Sequence, residues 1–195
     1  MTVLVASSLG DALDALASDP TATLLAGGTD LMVEVNEGHR RFPGGDEATV
    51  IALAGIPELS SWSVEPGSVL TLGAGVRWTE IEREPIRSMV PALAEAARTV
   101  GSPQIRHAGT VGGNLATCSP AGDGLPVLAA LDAVVHLAST AGRRSMPVAE
   151  FMVGVKRTAL RPGELIEAID VPLLAGWQGY SKVGVRNAMV IATAS

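Results

Sequence analysis

Two short segments, Ala26-Gly27-Gly28-Thr29-Asp30 and Thr110-Val111-Gly112-Gly113-Asn114, each follow an apolar run and combine paired glycines with a threonine hydroxyl. Glycine has no Cβ, so the main chain can approach a ligand closely and φ can turn positive. Successive N–H groups turned one way form a concave anion site suited to phosphate. One such segment is equally well read as a plain β-turn. Two of them suggest a clamp on an extended diphosphate. Neither has the G-x-G-x-x-G spacing of a Rossmann turn, and no Gly-Lys-Ser/Thr follows to make a P-loop.

Around the second segment, hydrogen-bonding side chains are dense: Thr110, Asn114, Thr117, Ser119 and Asp123 can surround a bound polyol and diphosphate. An ionised Asp123 only accepts, so it suits a hydroxyl rather than a phosphate. It also stands where it could cap a helix beginning near Leu125, and the two roles are compatible. His107 beside Arg106 has no assignable Ser, Cys or Asp partner, so a surface or hydrogen-bonded histidine is the better reading. Cys118 reads as a small buried residue rather than a nucleophile. Lys182 and Arg186 share a face if their segment is extended, either solvated or directed at an anion or an electron-rich ring. No catalytic side chain and no metal site is assigned.

These residues need elements to hold them. Ser7-Ser8 precede Leu9, Ala12, Leu13 and Leu16, the spacing of a capped amphipathic helix ended by Asp19-Pro20. Strands are expected at 1–6, 22–26 and 49–53, with a helical turn after Leu31 and a loop over 36–48. Residues 69–76 read as a strand whose Gly73 and Gly75 mark a bulge or a close backbone approach. Helices are expected from Thr79 and from Pro91, an irregular stretch over 101–107, and an apolar helix from Leu125. Strand candidates are 134–137, 144–147, 164–171 and 177–186. The predicted organisation is an α+β lobe over 1–60, a second and antiparallel α+β lobe over 61–186, and a final segment 187–195. That segment ends in an unfinished apolar run, Ile191 to Ser195, so a shortened chain, or one completed elsewhere, is expected.

A net charge of −6 among 195 residues is the wrong sign for phosphate-driven nucleic-acid binding, and aromatics at 3% give no stacking platform for bases. Arg40-Arg41 and Arg143-Arg144 read as solvated turns. The first residues have no basic n-region, and no apolar run has the length of a membrane span, so the cytoplasm is the expected address. One cysteine excludes a disulfide framework and a four-thiolate iron–sulfur site within the chain.

With both glycine segments, Ser119-Pro-Ala-Gly-Asp123 and Tyr180-Ser-Lys-Val-Gly-Val-Arg186 in view, the chain from about Leu9 onward resembles the FAD-binding medium subunit of the molybdenum hydroxylases. These include xanthine dehydrogenases and aerobic carbon monoxide dehydrogenases. The resemblance implies a two-lobed FAD-binding domain of the vanillyl-alcohol-oxidase (PCMH) type, with FAD between the lobes. It implies that Leu24, Leu25, Ala26, Gly27, Gly28, Thr29, Asp30 and Leu31 wrap the pyrophosphate. Thr110, Val111, Gly112, Gly113 and Asn114 would hold it from the other lobe, with Thr117 nearby. Asp123 would bond toward the adenosine ribose, Ile166 would touch the flavin, and Lys182 would place a cation near the isoalloxazine edge. The implied partners are a molybdopterin-binding large subunit and an iron–sulfur small subunit, with NAD or another molecule accepting electrons. A carbon monoxide dehydrogenase-like medium subunit and a truncated, flavin-free scaffold protein are the alternatives. The resemblance also implies a smaller C-terminal domain, which the chain is expected to lack.

Overall fold

The computed structural model describes residues 1–65, 69–186 and 189–194, with side chains through Val183. The first elements are β1 (Thr2–Val5), α1 (Leu9–Ser18), β2 (Thr23–Leu25), α2 (Leu31–Asn36) and β3 (Thr49–Ala52). Ser8 caps α1 by accepting from the Asp11 N–H, while Asp11 accepts from the Ser8 N–H, so two otherwise orphaned donors are satisfied. The helix buries Leu9, Ala12 and Leu16 as its spacing predicts. The three strands form a parallel sheet in the order β1-β3-β2.

Next come α3 (Pro57–Ser60), β4 (Trp62–Glu65), β5 (Val69–Gly73), α4 (Trp78–Ile81), α5 (Ile86–Met89) and α6 (Pro91–Thr99). They are followed by α7 (Pro103–Ala108), α8 (Val111–Thr117), α9 (Gly124–Ala130), β6 (Val134–Ser139), β7 (Gly142–Pro147) and α10 (Val148–Phe151). A small hairpin, β8 (Met152–Gly154) and β9 (Arg157–Thr158), precedes the long strand β10 (Leu165–Pro172) and the pair β11 (Ser181–Arg186) and β12 (Met189–Ala194). A five-stranded antiparallel sheet runs β4-β5-β10-β6-β7. One apolar core joins α1 and β3 to this sheet and to α6 and α9, with Ile51, Leu72, Leu93, Leu128 and Ile169 fully buried. Of the final segment, residues 187, 188 and 195 lie outside the described residues, as does the side chain of Arg186.

Several local expectations change. Residues 103–108 are helical, because Ser102 accepts from the Ile105 N–H and Pro103 fits the first helical position. The helix expected from Thr79 begins at Trp78, where the Glu80 carboxylate takes the Arg77 N–H at 3.2 Å. Arg143 and Arg144 lie on β7 rather than in a turn, each in a two-pronged ion pair, with Glu167 and Glu164 respectively. The strand expected over 177–186 starts only at Ser181. At Gly73, a Cβ would overlap the main chain at Leu59 and lie 2.7 Å from the Ser61 carbonyl oxygen, which is the close approach its position suggests.

Candidate functional site

The first glycine segment meets the main chain immediately before the second. A Cβ on Gly27 would overlap the Ala108 carbonyl and lie 2.8 Å from the Gly109 Cα, so only glycine lets these backbones touch. On the other side of that contact, the Trp78 N–H donates to Gly109 O at 3.3 Å and the Val111 N–H to Val76 O at 3.0 Å. Those two bonds bracket Arg77 and Thr110, which stand opposite each other as an isolated antiparallel bridge. Farther out, the Thr117 hydroxyl donates to Asp30 at 3.2 Å and Lys156 reaches Glu34 on α2 at 2.9 Å. A cavity of about 830 Å³ lies along this seam, within the range of roughly 300–1,000 Å³ usual for small-molecule sites.

Residues 24 to 31 all line it, as do Thr110, Gly112, Gly113, Asn114, Thr117, Asp123 and Ile166. Val111 does not, because its side chain is fully buried in the core. Ile166 is brought to the wall where β10 shifts register between Ile166 and Ala168, a bulge that re-aims a side chain.

The two segments differ in what they can offer an anion. Among the described residues, the N–H groups of Gly27, Gly28 and Thr29 have no acceptor, and Gly28 sits at φ +70. In the second segment, Val111 donates to Val76 O, Gly112 to Ala74 O, Gly113 to the Thr110 hydroxyl and Asn114 to Thr110 O. The segment expected to be a turn is therefore the first turn of α8, and its amides are spent within the protein. What α8 presents to the cavity is side chains. One of them, the Asn114 amide oxygen, is buried without a hydrogen-bond partner.

Asp123 does not cap α9, since its side chain makes no capping bond. It accepts instead from the Tyr180 hydroxyl at 2.9 Å and the Thr99 hydroxyl at 3.2 Å, and pairs with the Lys182 ammonium, all through one carboxylate oxygen. Burial, reinforced by Asp123, pushes the Tyr180 phenol well above its ordinary range. Lys182 stands behind Asp123 rather than on the cavity wall. Cys118 is buried, its thiol donates to Gly154 O at 3.6 Å, and burial raises its pKa, which suits no nucleophile. His107 is exposed, with Nδ1 2.7 Å from Pro103 O.

The family described as the FAD binding domain in molybdopterin dehydrogenase matches residues 1–174. The chain belongs to that family. It is 39% identical over 89% of its length to the nicotinate dehydrogenase FAD-subunit of Eubacterium barkeri, covering 59% of that protein. It is 30% identical over 96% of its length to the putative xanthine dehydrogenase FAD-binding subunit XdhB of Escherichia coli K12, covering 64% of it. Among solved structures, quinoline 2-oxidoreductase from Pseudomonas putida 86 superposes with a TM-score of 0.90 at 26% identity, over 98% of this chain and 65% of that one. The chain thus spans about six tenths of the relatives it matches.

The residues present fit FAD. The first segment supplies N–H groups without acceptors among the described residues, donors that a diphosphate can use. The unpartnered Asn114 oxygen calls for a ligand donor, which a flavin dinucleotide carries in its hydroxyl and amide groups. The resemblance assigned no role to Arg77, Tyr180 or Lys156. Arg77 was legible only as a cation directly after a strand, and the other two lay far from either glycine segment in sequence.

Proposed function

We propose that the chain is the FAD-binding, electron-transferring part of a xanthine-dehydrogenase-like molybdenum hydroxylase, with lobes 1–60 and 61–186 holding the cofactor between them. The observation that carries this reading is the 830 Å³ cavity along the seam between the two glycine segments, in a chain whose first 174 residues match the family. Free N–H groups at Gly27, Gly28 and Thr29 hold the diphosphate, and the other oxygen of Asp123 accepts from a ribose hydroxyl. Ile166 supplies apolar contact to the ring. When bound, FAD supplies electron acceptance and release at its own ring, and the protein positions and tunes it. No general acid or base is required of the chain.

Electrons reach this part from iron–sulfur clusters on a small partner subunit, after oxidation at a molybdopterin-binding large subunit, and leave to NAD or another acceptor in the cytoplasm. The 39% identity to a nicotinate dehydrogenase subunit favours an aromatic nitrogen heterocycle over carbon monoxide as the large subunit's substrate. The test is the absorption spectrum of the chain purified with its genomic neighbours, which resolves flavin and cluster bands. A colourless chain whose thermal midpoint does not respond to FAD would instead support the flavin-free scaffold reading.

A further inference from the structure

Among the described residues, six charged ones line the cavity: Asp30, Glu34, Arg40, Arg77, Asp123 and Lys156. Five are engaged. Asp30 accepts from Thr117, Glu34 is shared by Lys156 at 2.9 Å and Arg40 at 3.5 Å, and Asp123 holds Tyr180, Thr99 and Lys182. The Arg77 guanidinium has no hydrogen bond or ion pair among the described residues; even the nearby Glu80 carboxylate is directed to the Arg77 main-chain N–H. Arg77 is an exposed cation. It stands on a cavity wall in a chain of net charge −6.

Its placement is specific. The bonds from Trp78 to Gly109 and from Val111 to Val76 flank Arg77 and Thr110 without joining them directly. That makes them a non-hydrogen-bonded antiparallel pair, whose Cα atoms come within about 4.5 Å and whose side chains share a face. Gly109, next to Thr110, packs against Gly27 and beside the Thr29 hydroxyl. Arg77 therefore emerges beside the seam between the two glycine segments. On the first segment's side the anion meets free N–H groups; on the second, the amides of residues 111 to 114 are already used.

We infer that Arg77 is the cationic half of the diphosphate site, supplying from the second lobe the positive charge that the spent amides of α8 do not. A guanidinium fork matches two phosphate oxygens at once, and such charge-assisted bonds are about twice as strong as neutral ones. The inference deepens the flavin reading and rests on it.

The test measures FAD and ADP affinity of the 195-residue chain at low and high salt, for wild type, Arg77→Met and Arg77→Lys. Arg77→Met should weaken both ligands roughly ten- to a hundred-fold at low salt. The deficit should shrink at high salt, and Arg77→Lys should recover part of it. Thermal midpoints without ligand should be unchanged, since the side chain is exposed. Wild-type FAD affinity in Arg77→Met, or a deficit equal at both salt concentrations, overturns the role of Arg77 and leaves the flavin reading standing. Failure of the wild-type chain to bind either ligand overturns both.

Discussion

The Thr117 hydroxyl, on α8, donates to the Asp30 carboxylate at 3.2 Å, joining the end of one glycine segment to the helix that continues the other. The bond lies at the cavity rim, and its hydroxyl is thereby committed to the protein rather than to a phosphate.

Thr117→Val removes that bond and keeps the shape of the side chain. The bond is exposed, so stability should fall by no more than about 1 kcal/mol. FAD affinity should drop several-fold, because the two walls are no longer tied at that end. Chemical denaturation and ligand titration read the two effects separately.

Gly27→Ala places a methyl into the Ala108 carbonyl. The obstacle is main chain, which cannot swing aside as a side chain can, so the seam must open at a cost of about 1–3 kcal/mol or more. The expected result is a lower urea midpoint and loss of FAD binding. Gly10→Ala, on the exposed face of α1, should raise stability slightly instead.

Asn114→Ala should separate apo from bound behaviour. An unpartnered buried amide oxygen costs about 1–3 kcal/mol, so its removal should leave the ligand-free chain as stable as wild type or more so. The midpoint gain on adding FAD should shrink. Scanning calorimetry with and without FAD checks both signs.

Tyr180 is the only tyrosine, so ultraviolet titration of phenolate reports on it alone. Burial and then the Asp123 carboxylate raise its pKa above the ordinary 10.0. The folded state therefore holds the phenolic proton more tightly than the unfolded chain does. Its contribution is complete below pH 10.0 and declines as pH rises above that value. Folded protein should show no phenolate at pH 10.0, and Asp123→Asn should move its appearance down toward that value while burial keeps it above.

Glu164 behaves in the opposite sense. Hydrogen bonds from Arg144, at 2.7 Å to each oxygen, and from the Arg161 N–H at 2.8 Å hold its carboxyl below the ordinary 4.5. Its contribution is then full above pH 4.5 and lost as pH falls through the folded value. Glu164→Gln should lower stability by about 1–3 kcal/mol at neutral pH. The gap from wild type should close in acid, as followed by melting curves across pH.

The amphipathic spacing of α1 and the Ser8 cap were readable because both are local. So were the glycine segments, whose lack of Cβ atoms matters wherever they lie. The asymmetry between them was not readable. Whether Gly112 offers its N–H to a ligand or to Ala74 O depends on a segment distant in sequence, while Gly113 turns to the Thr110 hydroxyl only once α8 forms. Asp123 shows the limit most plainly: position before an apolar helix suggested a cap, but Thr99, Tyr180 and Lys182 converge on it from other elements. Arg143 and Arg144 gained their partners the same way, from β10 and the turn before it.

Because Gly27 meets Ala108 and Gly109 main chain to main chain, the gauge of the cleft is set by peptide thickness rather than by any side chain. Residues along its walls can be exchanged without changing how far apart those walls stand. A lineage can thus retune the potential or acceptor of the bound group by substitution while its seat keeps one width.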